Sequence, residues 1–265
     1  MEVIDFHTHA FPDNLAERAM KALAEEGNIP YYLDGKVSSL LASMDKAGIT
    51  KSALCSIATK VNQFASILKW SEEIRTDRII PFPSLHPDDP DWPQHIRCIK
   101  KANFPGIKMH PYYQNFDADE DRLFPLYELI AREKLILVLH TGFDFAFPRI
   151  RKADPARIHR ILQAVPGLLL VTTHLGAWED WEEVQRYLLG KPIYMEISFS
   201  LEYLGVARSR FLILNHPPEY ILFGTDSPWA DQAKCLEEFR KLNLPSELEE
   251  RILGENALAL LKKAQ

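Results

Sequence analysis

Two histidines one residue apart, His7 and His9, close the first apolar run of the chain, "VIDF". Residues i and i+2 of a strand project to one side, so a strand over residues 3–9 sets the two imidazoles next to each other, where they can grip one metal ion. His-x-His is a short pattern, and two surface histidines would be spelled the same way. Repetition separates the readings. Lys108 and His110 close "GIKMH", His140 closes "LILVLH", His174 closes "LLLVTTH" and Asp226 closes "YILFGTD". Parity gives Lys108 and His110 a shared face, and likewise Leu222, Gly224 and Asp226. One such histidine is ordinary. A whole set of apolar runs ending this way is not, because burying a titratable group is costly unless it is paired or metal-bound. Imidazole with carboxylate suits zinc, manganese or iron(II), and a hydrolytic site keeps one position open for water. Zinc is the leading choice.

Bringing these residues to one point is the task of the elements that carry them. Eight short apolar runs recur: "VIDFH", "SALCSI", "IIPFPSL", "GIKMH", "LILVLH", "LLLVTTH", "PIYMEIS" and "YILFGTD". Most are continuously apolar, as expected of strands covered on both faces, and the segments between them can hold a crossover helix. Two such helices show their stripes, Val37, Leu40, Leu41, Met44 and Leu123, Leu126, Tyr127, Ile130. Glycines in "MDKAGI" and "LLGKP" mark helix ends. Eight strand-helix repeats in 265 residues predict an α/β fold, the (β/α)8 or TIM barrel of roughly 250 residues, formed as one domain over 1–265. Barrel enzymes place their catalytic groups at the carboxyl ends of the strands, where these polar residues fall. The connection over residues 10–50 is the longest. It holds a charged helix near Asn14 to Glu26 and the stretch "IPYYLD", which reads as a lid, a dimer contact or a plain surface excursion.

A composition of 46% hydrophobic and 26% charged residues is globular, and a formal net charge of -6 without any Lys/Arg-rich run argues against nucleic acid and anionic membrane as partners. The expected partner is a small-molecule substrate. Cys55, Cys98 and Cys235 form no Cys-x-x-Cys, so no disulfide framework or thiolate zinc site is expected. A start at "MEVIDF" without a leader pattern, and the lack of a membrane-length apolar run, make the cytoplasm the default compartment.

His7-Thr8-His9 with Phe11-Pro12, then "GIKMHP", "LHTG", "HLGAWEDW", "FGTDSPW" and "ILGENALALL", together resemble the amidohydrolase superfamily. The specific likeness is to the amidohydrolase-related group that includes aminocarboxymuconate-semialdehyde decarboxylase. It covers nearly the whole chain in order. The resemblance implies that His7, His9, His140 and Asp226 ligate one divalent metal, with His174 as a further ligand or a substrate-polarising group. It implies a homodimer as well. In binuclear members a lysine at the end of the fourth strand is carbamylated and bridges two metals. Lys108 is therefore such a bridge, an anion-binding cation, or a lysine whose stem merely packs in the barrel. One ion is favoured, two if Lys108 is carbamylated.

The resulting expectation is a metal-dependent hydrolase. Water activated by the metal attacks an amide, lactone or ester carbonyl, and Asp226 takes the proton and passes it on as general base and then acid. His174 supports the developing oxyanion, while Lys108 and His110 orient a substrate carboxylate. The alternative is non-oxidative decarboxylation by the same residues, set second because decarboxylases of the group are generally longer. A non-catalytic metal-binding barrel is the third reading. Around the site, "GFDFAFPRIRKAD" brings Phe143, Phe145, Phe147, Arg149 and Arg151 to the active face, with Arg149 expected on substrate, and Trp178 is expected to wall the pocket. Glu196 either reaches the site or pairs with a buried lysine or arginine. His86 reads as a turn residue, and His95, His159 and His216 as solvent-facing. Trp181 reads as packing and Asn256 as support for the last helix.

Overall fold

The computed structural model describes residues 2–264. Among them every apolar run becomes a strand: β1 (Ile4–Thr8), β2 (Lys51–Cys55), β3 (Ile79–Phe82), β4 (Gly106–Met109), β5 (Ile136–Leu139), β6 (Leu169–Thr172), β7 (Tyr194–Glu196) and β8 (Ile221–Leu222). All neighbouring pairs are parallel, with β1 to β3 forming one continuous ladder and β4 to β8 another. The two ladders meet at seams made of single backbone bonds. Phe6 N donates to Phe223 O at 2.9 Å, Asp226 N to His7 O at 2.8 Å and His9 N to Ser227 O at 2.6 Å, joining β8 to β1. Lys108 N donates to Pro83 O at 3.0 Å, joining β3 to β4. Pro81 and Pro83 have no N–H to give, so a regular ladder cannot form there. The Ser84 hydroxyl supplies the missing donor to Lys108 O at 2.8 Å. The fold is a (β/α)8 barrel.

Strand parity divides the apolar residues into two cores. Ile4, Phe6, Ala53, Phe82, Ile136, Val138, Val171 and Leu222 fill the barrel interior, closed at one end by Ala257 and Leu260 of the last helix, Asn256–Lys263. Leu54, Ile107, Met109, Leu137, Leu139 and Leu170 point outward to the helices. The expected support by Asn256 is observed: its amide donates to Pro218 O and Ile221 O at 2.7 and 2.8 Å. The charged helix of the long connection spans Asp13–Gly27, and Tyr31 and Tyr32 beyond it are about half exposed. No helix of the described residues is long and apolar enough to cross a membrane.

One irregularity positions the site. In β1 the register shifts between Asp5 and Thr8, from Asp5 opposite Ser52 to Thr8 opposite Leu54. An extra residue in one strand reverses which face later side chains take. Phe6 therefore stays in the barrel core while His7 and His9 also reach its mouth. Asp5, fully buried, fixes the neighbouring seam: its carboxylate accepts from His7 N (3.2 Å), Thr225 N (3.0 Å), Thr225 Oγ1 (2.6 Å) and Gln232 Nε2 (2.8 Å). Asp5→Asn turns one of these acceptors into a donor facing donors, so chemical denaturation should show a loss of about 1–3 kcal/mol.

Candidate metal centre and active site

Four imidazoles at the mouth of the barrel are each anchored by one ring nitrogen. His7 Nδ1 donates to Glu196 Oε1 at 2.9 Å, and His9 Nδ1 to Cys55 O at 2.8 Å. His174 Nδ1 donates to Ser198 O at 3.1 Å, and His140 Nε2 to Phe143 O at 3.0 Å. Because every one of these partners accepts, the opposite nitrogen of each neutral ring carries a bare lone pair. Those bare atoms face each other. His7 Nε2 and His9 Nε2 are 3.1 Å apart, and Asp226 Oδ1 lies 3.4 and 3.1 Å from them with no hydrogen-bond partner. His140 Nδ1 and His174 Nε2 are 3.3 Å apart. Lone pairs do not attract one another; the Lys108 ammonium, 3.0 Å from His7 Nε2, meets one of them, and a divalent cation fits between the rest. Atoms bound at about 2.0–2.2 Å to one ion lie about 3.0–3.6 Å apart, which these spacings match. His7, His174 and Asp226 also present ligand atoms within 4.8 Å of one another. The donor set fits a divalent metal.

Burial and neighbours keep these groups in binding form. Burial, then the Lys108 charge, lowers His7 to about 4, and burial likewise holds His110 and His140 well below the usual histidine range. Burial alone would raise Asp226 and Glu196. For Asp226 the neighbouring His7 and His9 imidazoles outweigh it and keep the carboxyl well below its ordinary range. For Glu196 the neighbouring His7 and the hydrogen bond from its Nδ1 bring the value down to about 2.

Glu196 is the orienting group behind the metal ligands. Its Oε1 also accepts from His174 N at 3.0 Å and Ser198 Oγ at 2.8 Å, and its Oε2 from Ser198 N at 2.7 Å. Its partner is thus a histidine, not the lysine or arginine considered from sequence. Gly224 makes room for it, since a Cβ there would lie 2.2 Å from Glu196 Oε2. Two site residues occupy left-handed backbone, His174 at φ 58° and Asp226 at φ 64°, where non-glycine residues are strained. The amide bonds of His174 N to Glu196 and Asp226 N to His7 O hold them there.

Around this cluster lies a cavity of 340 Å³, lined by every expected site residue except Arg149. Lys108 is fully buried at its floor, Nζ 3.0 Å from His7 Nε2. His110 stacks on His140 with centroids 4.0 Å apart, and its Nε2 is 3.4 Å from Asp144 Oδ2. Trp178 forms part of the wall, 4.1 Å from the Phe145 ring. Arg149 instead faces outward: it pairs with Glu179 and lies over Phe143, because that carboxylate and ring give it partners on the loop surface. Arg151 is similarly engaged by Asp180. His216 is buried, its Nε2 bonded to Ile193 O, and His95 stacks on Phe64, so neither faces solvent as expected. His86 does sit in a turn, and Trp181 packs with its Nε1 on His174 O. Sequence reading missed Ser198, the Cys55 carbonyl, Tyr113 and Asp144. Asp144 alone left a signal, four residues after His140.

The amidohydrolase family model matches residues 4–263. None of the curated proteins matches the chain in sequence. Among solved structures, an uncharacterized TIM-barrel protein from Bordetella bronchiseptica is similar with TM-score 0.78 and 20% identity, over 100% of this chain and 99% of that one. The 5-carboxyvanillate decarboxylase from Sphingomonas paucimobilis has TM-score 0.72 and 14% identity, over 98% and 99%. A dihydroxybenzoic acid decarboxylase from Polaromonas, with bound manganese and the inhibitor 2-nitroresorcinol, has TM-score 0.71 and 13% identity, over 100% and 98%. At these identities the likeness is one of fold.

The buried histidines set the acid response of the metal-free protein. Their folded pKa values lie below the unfolded value of about 6.5, so the unfolded chain binds more protons as pH falls below that value and stability drops. Asp5, pushed up by burial to about 7, opposes this by one proton. With five lowered histidines, His7, His86, His110, His140 and His216, the net expectation is a fall in stability from pH 7 to pH 4. It should steepen below pH 4 as Glu196 and Asp226 lose their advantage, a profile that denaturation at stepped pH would check.

Proposed function

The chain belongs to the amidohydrolase family, and on that premise we propose that this enzyme is a metal-dependent lyase, a single-domain barrel that removes the carboxyl group of a small planar aromatic carboxylate without oxidation. The observation that carries the reading is the cavity itself. Bare imidazole nitrogens and Asp226 sit at its floor, Lys108 is among the described residues the only lysine or arginine lining it, and Tyr113, Phe145, Trp178 and Phe199 stand in its walls. The two decarboxylases of like fold act on, or are named for, benzoate-type acids.

His7, His9, His140 and Asp226 would hold the ion, with His174 beside them. When bound, a divalent ion there supplies positive charge that fixes and polarises anionic substrate oxygens. Lys108 and His110 orient the carboxylate, and the aromatic walls pack against a flat ring. Those walls also exclude water, which favours a step that converts a charged carboxylate into neutral carbon dioxide. The carbon–carbon bond breaks to release carbon dioxide, its electron pair stays on the ring carbon, and that carbon takes a solvent proton relayed through His174 Nε2, whose lone pair picks it up while Nδ1–H stays on Ser198 O. Manganese and zinc both suit this mixed imidazole and carboxylate set.

A second reading, hydrolysis of an amide, lactone or ester, is favoured by one observation, the unpartnered Asp226 Oδ1, which could accept a proton from water. Products separate the two. Metal-loaded enzyme turning over 2,6-dihydroxybenzoate in D2O should release carbon dioxide and place deuterium on the ring carbon that lost it. Ester or lactone cleavage with no such release would sink the lyase reading. His9→Ala should bring metal content from about one ion per chain to near none in elemental mass spectrometry. His174→Asn should keep the metal and lower kcat about 10²–10⁴-fold.

A further inference from the structure

We infer that the acid accepted by this site bears a neutral, apolar substituent about the size of a second ring and no second charged group, an inference that rests on the decarboxylase reading. The first argument is size. A cavity of about 150 Å³ suffices for benzene, whereas this one measures 340 Å³. Space is left after one aromatic acid has been seated at the floor.

The second argument is what surrounds that space. Helix Asp13–Gly27 contributes Leu15 and Leu23, and the helix Phe64–Ile74 across from it contributes Ile67 and Trp70. Leu15 at 39% and Phe145 at 37% remain exposed, apolar area that a ligand would cover. None of the polar groups on this wall is charged, and Gln63 Oε1 and Ser66 Oγ are engaged within it, whereas Ser56 Oγ and Trp178 Nε1 on the same lining have no partner. Gln63 Oε1 accepts from Lys60 N at 2.8 Å and from Thr59 Oγ1 at 3.3 Å, and Ser66 Oγ donates to Gln63 O at 2.8 Å.

The third argument is charge. Among the described residues Lys108 is the only lysine or arginine on the lining, and it belongs to the floor beside His7. Arg149, the nearest basic group sequence reading offered, is held by Glu179 away from the cavity. A second carboxylate placed in the outer limb would lose water and gain no counter-ion.

Calorimetric titration of the metal-loaded full chain compares 2,6-dihydroxybenzoate with its 4-phenyl and 4-carboxy derivatives, with carbon dioxide release followed in parallel. The phenyl compound should bind at least about tenfold more tightly than the parent, as burial of a ring predicts. The carboxy compound should bind more weakly than the parent. Ile67→Glu and, separately, Trp70→Ala should each cut the affinity for the phenyl compound more than that for the parent. Equal binding of parent and phenyl compound, tighter binding of the carboxy compound, or a phenyl preference that survives both substitutions overturns the inference. A phenyl preference without carbon dioxide release from any of the acids leaves the inference standing and defeats the lyase reading. Release from the parent without a phenyl preference does the reverse.

Discussion

The bond between Glu196 and His7 is the constraint on which the mouth of this barrel depends. A fully buried carboxylate in an apolar barrel is costly, and here it is compensated by four donors from three residues, His7 Nδ1, His174 N, Ser198 N and Ser198 Oγ. Through those bonds one side chain fixes the tautomer of His7 and the left-handed backbone of His174. It also orders the turn after β7. Second partners of this kind set both the orientation and the basicity of metal-binding imidazoles. The absence of a side chain at Gly224 is part of the same arrangement, since any Cβ would displace the carboxylate.

The seam between β8 and β1 does the complementary work. Asp226 reaches the cluster because its amide is held by His7 O and because Asp5, one strand position away, collects donors from Thr225 and Gln232. The seam that closes the barrel therefore also delivers the carboxylate to the imidazoles. Folding and site assembly share their interactions, so loosening the seam should perturb both.

Electrostatics divides the cavity into two parts. The floor concentrates lone pairs, a low-pKa carboxylate and the buried Lys108, a set that attracts a cation and then an anionic substrate group. The upper walls are apolar and aromatic and carry no compensating charge. Such a gradient binds a molecule charged at one end and oily at the other, and it withdraws water from the charged end, where the chemistry occurs.

Much of this was legible in the chain. Strand number, the parallel barrel, the strand-end positions of His7, His9, His140, His174 and Asp226, and Trp178 as a wall follow from local periodicity and residue type, because both act over a few residues. What local pattern could not give was direction. Strict parity aligns His7 with Asp5, away from Phe6, and only the register shift in β1 lets Phe6 fill the core while the two histidines face the mouth. His174 follows an interior Val171 by three residues and turns inward through its positive φ, a conformation enforced by Glu196 from another strand. Arg149 shows the converse, an apt residue type in an apt loop drawn outward by Glu179, thirty positions later. The sequence by itself determined which groups lie at the ends of which strands. Tertiary structure decided which of their atoms meet, because bulges, left-handed turns and ion pairs depend on contacts between segments far apart in the chain.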